Sequence, residues 1–145
     1  TLPPWYMEGD AVGTETSLSS AGRGRQPFFE RGWRALILDN QEWSYDQLTL
    51  GSYVRWRPNH YVYGYFLTTY LRRHFGKETL ERIHFETMER AYNPLAFYNA
   101  IERVTGQSID TVYKKAVREL KKEWSEQQQK ITSTQPAEIY KQQNV

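Results

Sequence analysis

Glu8 lies in the stretch Trp5-Tyr-Met-Glu8-Gly9-Asp-Ala11-Val-Gly-Thr-Glu15, behind Pro3-Pro4. A carboxylate in the first turns of a helix can hold a metal beside the helix. It can equally be a solvated residue near a helix N-terminus, where negative charge is favoured anyway. Glu15 follows seven residues later. At 3.6 residues per turn the two project from nearly the same side, roughly 10 Å apart along the axis. That is too far for both to hold one ion, so with Glu8 as a ligand Glu15 is a supporting residue. Its candidate partners are Arg23 and Arg25 in Gly22-Arg-Gly-Arg25, a short segment that reads as an anion-binding loop or a plain one.

The second group is His60-Tyr61-Val-Tyr63-Gly64-Tyr65-Phe66. A phenol at a helix start can face a cleft and donate to a developing oxyanion. The same residues also read as an aromatic packing stripe. Gly64 costs about 1 kcal/mol inside a helix relative to Ala, which is tolerable where another backbone or a substrate approaches closely. The three histidines are His60, His74 and His84, and no two form the i, i+4 pair that presents imidazoles to one metal. His74 and His84 read as ordinary helix residues, with His74 suited to a helix C-terminus.

The elements that position these groups are almost all helical. Pro3 and Pro4 suit a first turn, where a missing N–H costs nothing, and a helix is predicted over 4–16. Residues 17–27, rich in Ser, Gly and Arg, read as an irregular loop. Phe29, Trp33, Leu36 and Ile37 give 28–39 a helical spacing. Residues 40–44 turn, 45–53 form a short helix or ordered coil, and 56–59 turn again. Val62, Phe66, Leu67, Tyr70 and Leu71 make 61–74 the strongest helix, stopped by Gly76. Leu80, Ile83, Phe85 and Met88 mark a helix over 77–90, and Pro94 opens another that Gly106 closes. Ser108 caps the last helix, with Val112, Ala116, Leu120 and Trp124 as its buried stripe. Residues 1–125 are thus expected as one helical domain, and 126–145, with 6 Gln among its 20 residues, as a polar tail or linker.

Composition narrows the function classes. The 145 residues suffice for one core, and an aromatic fraction of 15% makes rings a large part of it. Net charge is only +2, with no concentrated basic face to suggest nucleic acid. Cysteine is absent, which removes disulfides, thiolate ligands and a Cys nucleophile. No apolar run approaches the ~20 residues of a membrane helix.

Taken in order, Pro3, Trp5, Glu8-Gly9, Ala11 and Glu15, then Gly22-Arg-Gly-Arg25, then Tyr61-Val-Tyr63-Gly64 with Phe66, Tyr70-Leu71 and Phe75-Gly76, resemble the C-terminal half of a bacterial gluzincin domain. This is the zinc metallopeptidase class (peptidase MA-like) that pairs H-E-x-x-H with a third, glutamate ligand. The similarity spans about residues 3–124 and is greatest to the envelope type that continues into a TolB-like β-propeller.

The resemblance implies a mainly α C-terminal subdomain of a zincin-like hydrolase, without its N-terminal sheet and H-E-x-x-H helix. It implies Glu8 as third zinc ligand, with Trp5 and Ala11 packing around it. Tyr61, or Tyr63 if the register slips, would stabilise the tetrahedral intermediate, with Glu15, Arg23, Arg25 and His60 behind them. The general base and two histidines would come from an upstream H-E-x-x-H segment, which does not occur in these 145 residues. The chain alone is therefore expected to bind no stoichiometric zinc and to hydrolyse nothing, since catalytic zinc needs about three protein ligands. Zinc is the implied cofactor, peptide or protein the implied substrate, and the bacterial periplasm or cell envelope the implied compartment. A degenerate peptidase fold, or a helical module that binds peptides or proteins without catalysis, is the other reading. Asp10 and Gly13 depart from the pattern, standing where an apolar and an aromatic residue are usual.

Overall fold

A computed structural model describes residues 2–51 and 55–131. Among them the chain is mainly α, with seven α-helices and no strand: α1 Pro4–Leu18, α2 Pro27–Leu38, α3 Tyr45–Leu50, α4 His60–Phe75, α5 Thr79–Glu89, α6 Ala96–Thr105 and α7 Ile109–Lys130. A single 3-10 turn, Arg23–Arg25, sits in the segment expected to be irregular. Local chemistry accounts for most of the boundaries. Asn59 accepts from the Val62 N–H at 3.1 Å and so starts α4, and Ser108 caps α7 through the Thr111 N–H. Ser44 and Gln47 form a reciprocal capping box that holds even the short α3. Gly76 and Gly106 end α4 and α6 at positive φ, 103° and 71°, where a Cβ would be strained.

The closest packing in the fold is between α1 and α4. A Cβ on Gly9 would lie 2.2 Å from the carbonyl carbon of Gly64, and one on Gly64 would lie 2.2 Å from the Trp5 oxygen. The two backbones therefore touch, and this contact is what the helix-weakening Gly64 permits. Thr68, fully buried, returns its hydroxyl to the Gly64 carbonyl at 2.9 Å, so the crossing leaves no orphan polar group there.

Aromatic rings fill the space on both sides. Trp5, Tyr6, Tyr45 and Phe97 meet edge to face with centroids 5.1–6.2 Å apart. The Trp5 indole N–H donates to the Tyr45 hydroxyl at 3.0 Å. A second nest joins Trp33 on α2, Phe66 on α4 and Trp124 on α7, which ties the last helix to the first half of the chain.

Several expectations need correction. Phe85 and Met88 are exposed, because α5 buries only the Leu80, Ile83 and Thr87 side. Ala11, expected at a packing position beside Glu8, is exposed, since the buried residues of α1 are Trp5, Tyr6, Gly9, Val12 and Thr16. α1 runs two residues further than expected, to Leu18. α6 begins at Ala96 rather than at Pro94. α7 continues to Lys130, through the first residues assigned to the tail. The expected end of the 45–53 element and tail residues 132–145 lie outside the described residues.

The buried phenols give the fold a pH limit. Burial raises Tyr6, Tyr45 and Tyr113 well above the usual phenol range. Tyr6 also donates to the Leu80 carbonyl, and Tyr113 to that of Trp43. An unfolded chain releases these protons at about pH 10, whereas the folded one retains them. Their contribution is complete below that pH and is lost as pH rises above it, at about 1.4 kcal/mol per phenol per pH unit. Stability to urea is expected to be level up to about pH 9 and to fall steeply above 10, with phenolate absorbance from these three appearing only as the chain unfolds. Early titration of all 11 tyrosines without unfolding would contradict this.

Candidate functional site

Glu8 is half-buried on α1, next to the Gly9 contact. It has no hydrogen bond or ion pair among the described residues, whereas Asp10 and Glu15 on the same helix are both paired. A carboxylate left free at the edge of a helix crossing can accept a cation or a proton. Glu15 lies two turns further on and holds Arg23, whose Nε and Nη2 reach one carboxylate oxygen at 3.0 and 2.9 Å.

Arg23 in turn lies 5.4 Å from the centre of the Tyr61 ring, and Tyr61 stacks on His60 at 4.4 Å. Glu15, Arg23, Tyr61 and His60 are thus one connected row. It runs from the end of α1, through the 3-10 turn, to the start of α4. Arg25 is not in it: its guanidinium donates to the Ser19 carbonyl instead.

The two candidate tyrosines differ in placement. Tyr61 is partly exposed, one turn before Gly64. Tyr63 is buried in the core, and burial raises its phenol. Only Tyr61 stands where a phenol can meet a ligand arriving from solvent.

The histidines do not gather. His74 binds Glu119 on α7 at 2.7 Å beside Arg73, His84 is exposed on α5, and His60 lies on Tyr61. Among the described residues no three His, Cys, Asp or Glu side chains converge as metal ligands would. The site therefore offers one carboxylate to a metal, not a complete ligand set.

One arrangement escaped the sequence reading. Arg72, near the end of α4, reaches across to α1, where it pairs with Asp10 and lies 3.3 Å from the place a Gly13 Cβ would take. The signal was present at Asp10 and Gly13, the two positions that depart from the expected pattern. Nothing in the spacing, however, says which distant side chain they receive. Among the described residues no helix is long and apolar enough to cross a membrane. Comparison with models of known protein families, with curated proteins and with solved structures returns no match.

Proposed function

We propose that this chain is the helical C-terminal part of a zinc-dependent peptidase, in which Glu8 is the third protein ligand and Tyr61 the oxyanion donor. The observation that carries the reading is the backbone contact of Gly9 with Gly64. It sets the unpaired Glu8 beside the crossing and Tyr61 one turn from it, on two helices that cannot slide past one another. The residues fit one ligand position: the carboxylate is at the surface edge, half-buried, and has no competing cation among the described residues. The remaining ligands belong to an H-E-x-x-H segment outside these 145 residues.

Glu8 would hold zinc together with the H-E-x-x-H ligands, and the metal would supply Lewis-acid polarisation of the scissile carbonyl and an activated water. What this chain supplies is position. Tyr61 presents its phenol at the start of α4, where it can donate to the oxygen on which negative charge develops. Arg23 lies against the ring, Glu15 anchors Arg23, and His60 stacks on the same ring. Glu15 and Arg23 are positioning residues and need not touch substrate.

The expected signature is kinetic. In a longer chain carrying the H-E-x-x-H segment, Tyr61→Phe should lower kcat about 100- to 1000-fold with KM little changed, as loss of one oxyanion donor does. Tyr63→Phe should alter stability and leave kcat nearly intact. The opposite split would assign the donor role to Tyr63. Full activity in both variants would remove tyrosine from the mechanism.

A further inference from the structure

A cleft of about 730 Å³ opens between the C-terminal half of α1 and the outer side of α4. It lies on the flank of α1 away from Glu8, since Gly13 and Ser17 stand 140–180° around the helix from it at about 100° per residue. Four cations line it, Arg25, Arg72, Arg73 and Lys77, and no carboxylate does. Between them are the hydroxyls of Ser17, Thr69 and Tyr65. Burial raises the Tyr65 phenol, so it remains a neutral donor.

The charge in this cleft is only partly compensated. Arg72 is held by Asp10 and Arg73 by Glu119. Arg25 is held by a neutral carbonyl, and Lys77 has no partner among the described residues. Two positive charges are left over. The helix dipole explains cations in the last turn of α4, where Arg72, Arg73 and His74 sit. It does not explain Arg25, which arrives on the separate 3-10 turn, nor the seat cut for Arg72. There a guanidinium nitrogen of Arg72 lies 3.3 Å from the place a Gly13 Cβ would take, so Gly13 lets it sit close against α1. Asp10, which does not line the cleft, holds the same guanidinium from the α1 side. Asp10 and Gly13 are the two departures from the peptidase-like pattern, and both meet Arg72.

We propose that the cleft is a binding site for a phosphate monoester dianion, held by Arg25, Arg72 and Lys77. Two uncompensated charges match a dianion, guanidinium groups present forked donors to phosphate oxygens, and the neutral hydroxyls accommodate the esterified alcohol. The cleft exceeds phosphate alone in volume, which leaves room for a small organic group.

The test is titration of the 145-residue chain with inorganic phosphate and with glycerol 3-phosphate. Heat and backbone amide NMR would be followed, with sodium chloride at matched ionic strength as control. Saturable one-to-one binding is expected, tighter for the ester, with shifts gathered on residues 13, 69 and 77. Lys77→Gln, whose side chain holds nothing else among the described residues, should weaken it about tenfold or more; Arg25→Gln should do the same. Linear shifts spread over unrelated cations, equal shifts with chloride, or unchanged affinity in Lys77→Gln would each overturn the proposal.

Discussion

Replacing Gly64 by Ala is expected to destabilise the chain by more than about 3 kcal/mol, the upper end of ordinary overpacking costs. Propensity alone predicts the opposite sign, since Ala inside a helix gains about 1 kcal/mol over Gly. The decisive fact is the 2.2 Å separation between the new Cβ and the Trp5 carbonyl oxygen, a backbone atom that no rotamer change can move aside. α1 and α4 would have to part, and with them the edge-to-face rings around Trp5. Gly9→Ala meets the Gly64 backbone equally closely and should cost a similar amount. Once the helices have parted, the second substitution adds little, so the double variant should fall well short of additivity. Urea unfolding of the three variants measures this. A neutral or stabilised Gly64→Ala would mean the helices do not cross in backbone contact.

The second large effect concerns Glu8. Glu8→Gln removes the negative charge and the anionic oxygen that would bind the metal, while keeping the shape. Disturbing groups behind a metal ligand costs 10–100-fold, so losing a ligand itself should cost more than about 100-fold in zinc affinity, and hydrolysis with it. Stability of the zinc-free chain should move by less than about 0.5 kcal/mol, because Glu8 holds no partner among the described residues. Loss of function without loss of fold separates a ligand from a structural carboxylate. Glu15→Gln should behave differently: it releases Arg23 from the Tyr61 ring and lowers kcat while leaving zinc bound.

The helices were legible where periodicity and punctuation agreed. The α4 stripe ended by Gly76, the Ser108 cap and the Gly106 stop all act through neighbours within four residues. Leu80, Ile83, Phe85 and Met88 marked α5 correctly, but a helical spacing does not say which of its residues a partner helix covers. α5 is covered only along Leu80, Ile83 and Thr87. The Ser44-Gln47 capping box was present in the residues and would have closed the choice between helix and coil for α3. At the candidate site, Gly64 announced a close approach but could not say that Gly9 was the other side of it. Arg23 and Arg25 are two residues apart and looked equivalent. Which one meets Glu15 depends on the 3-10 turn, whose geometry sends alternate guanidiniums to different faces. The reach of Arg72 to Asp10 spans 62 positions of chain, a separation at which local pattern carries no information.

Zinc content tests the central claim most directly. The measurement is metal analysis after dialysis of a longer chain carrying the H-E-x-x-H segment, alongside its Glu8→Gln variant at equal concentration. One zinc per chain in the parent and little or none in a folded Glu8→Gln variant is the predicted result. Equal, tightly held zinc in both would contradict the assignment of Glu8 as the third ligand.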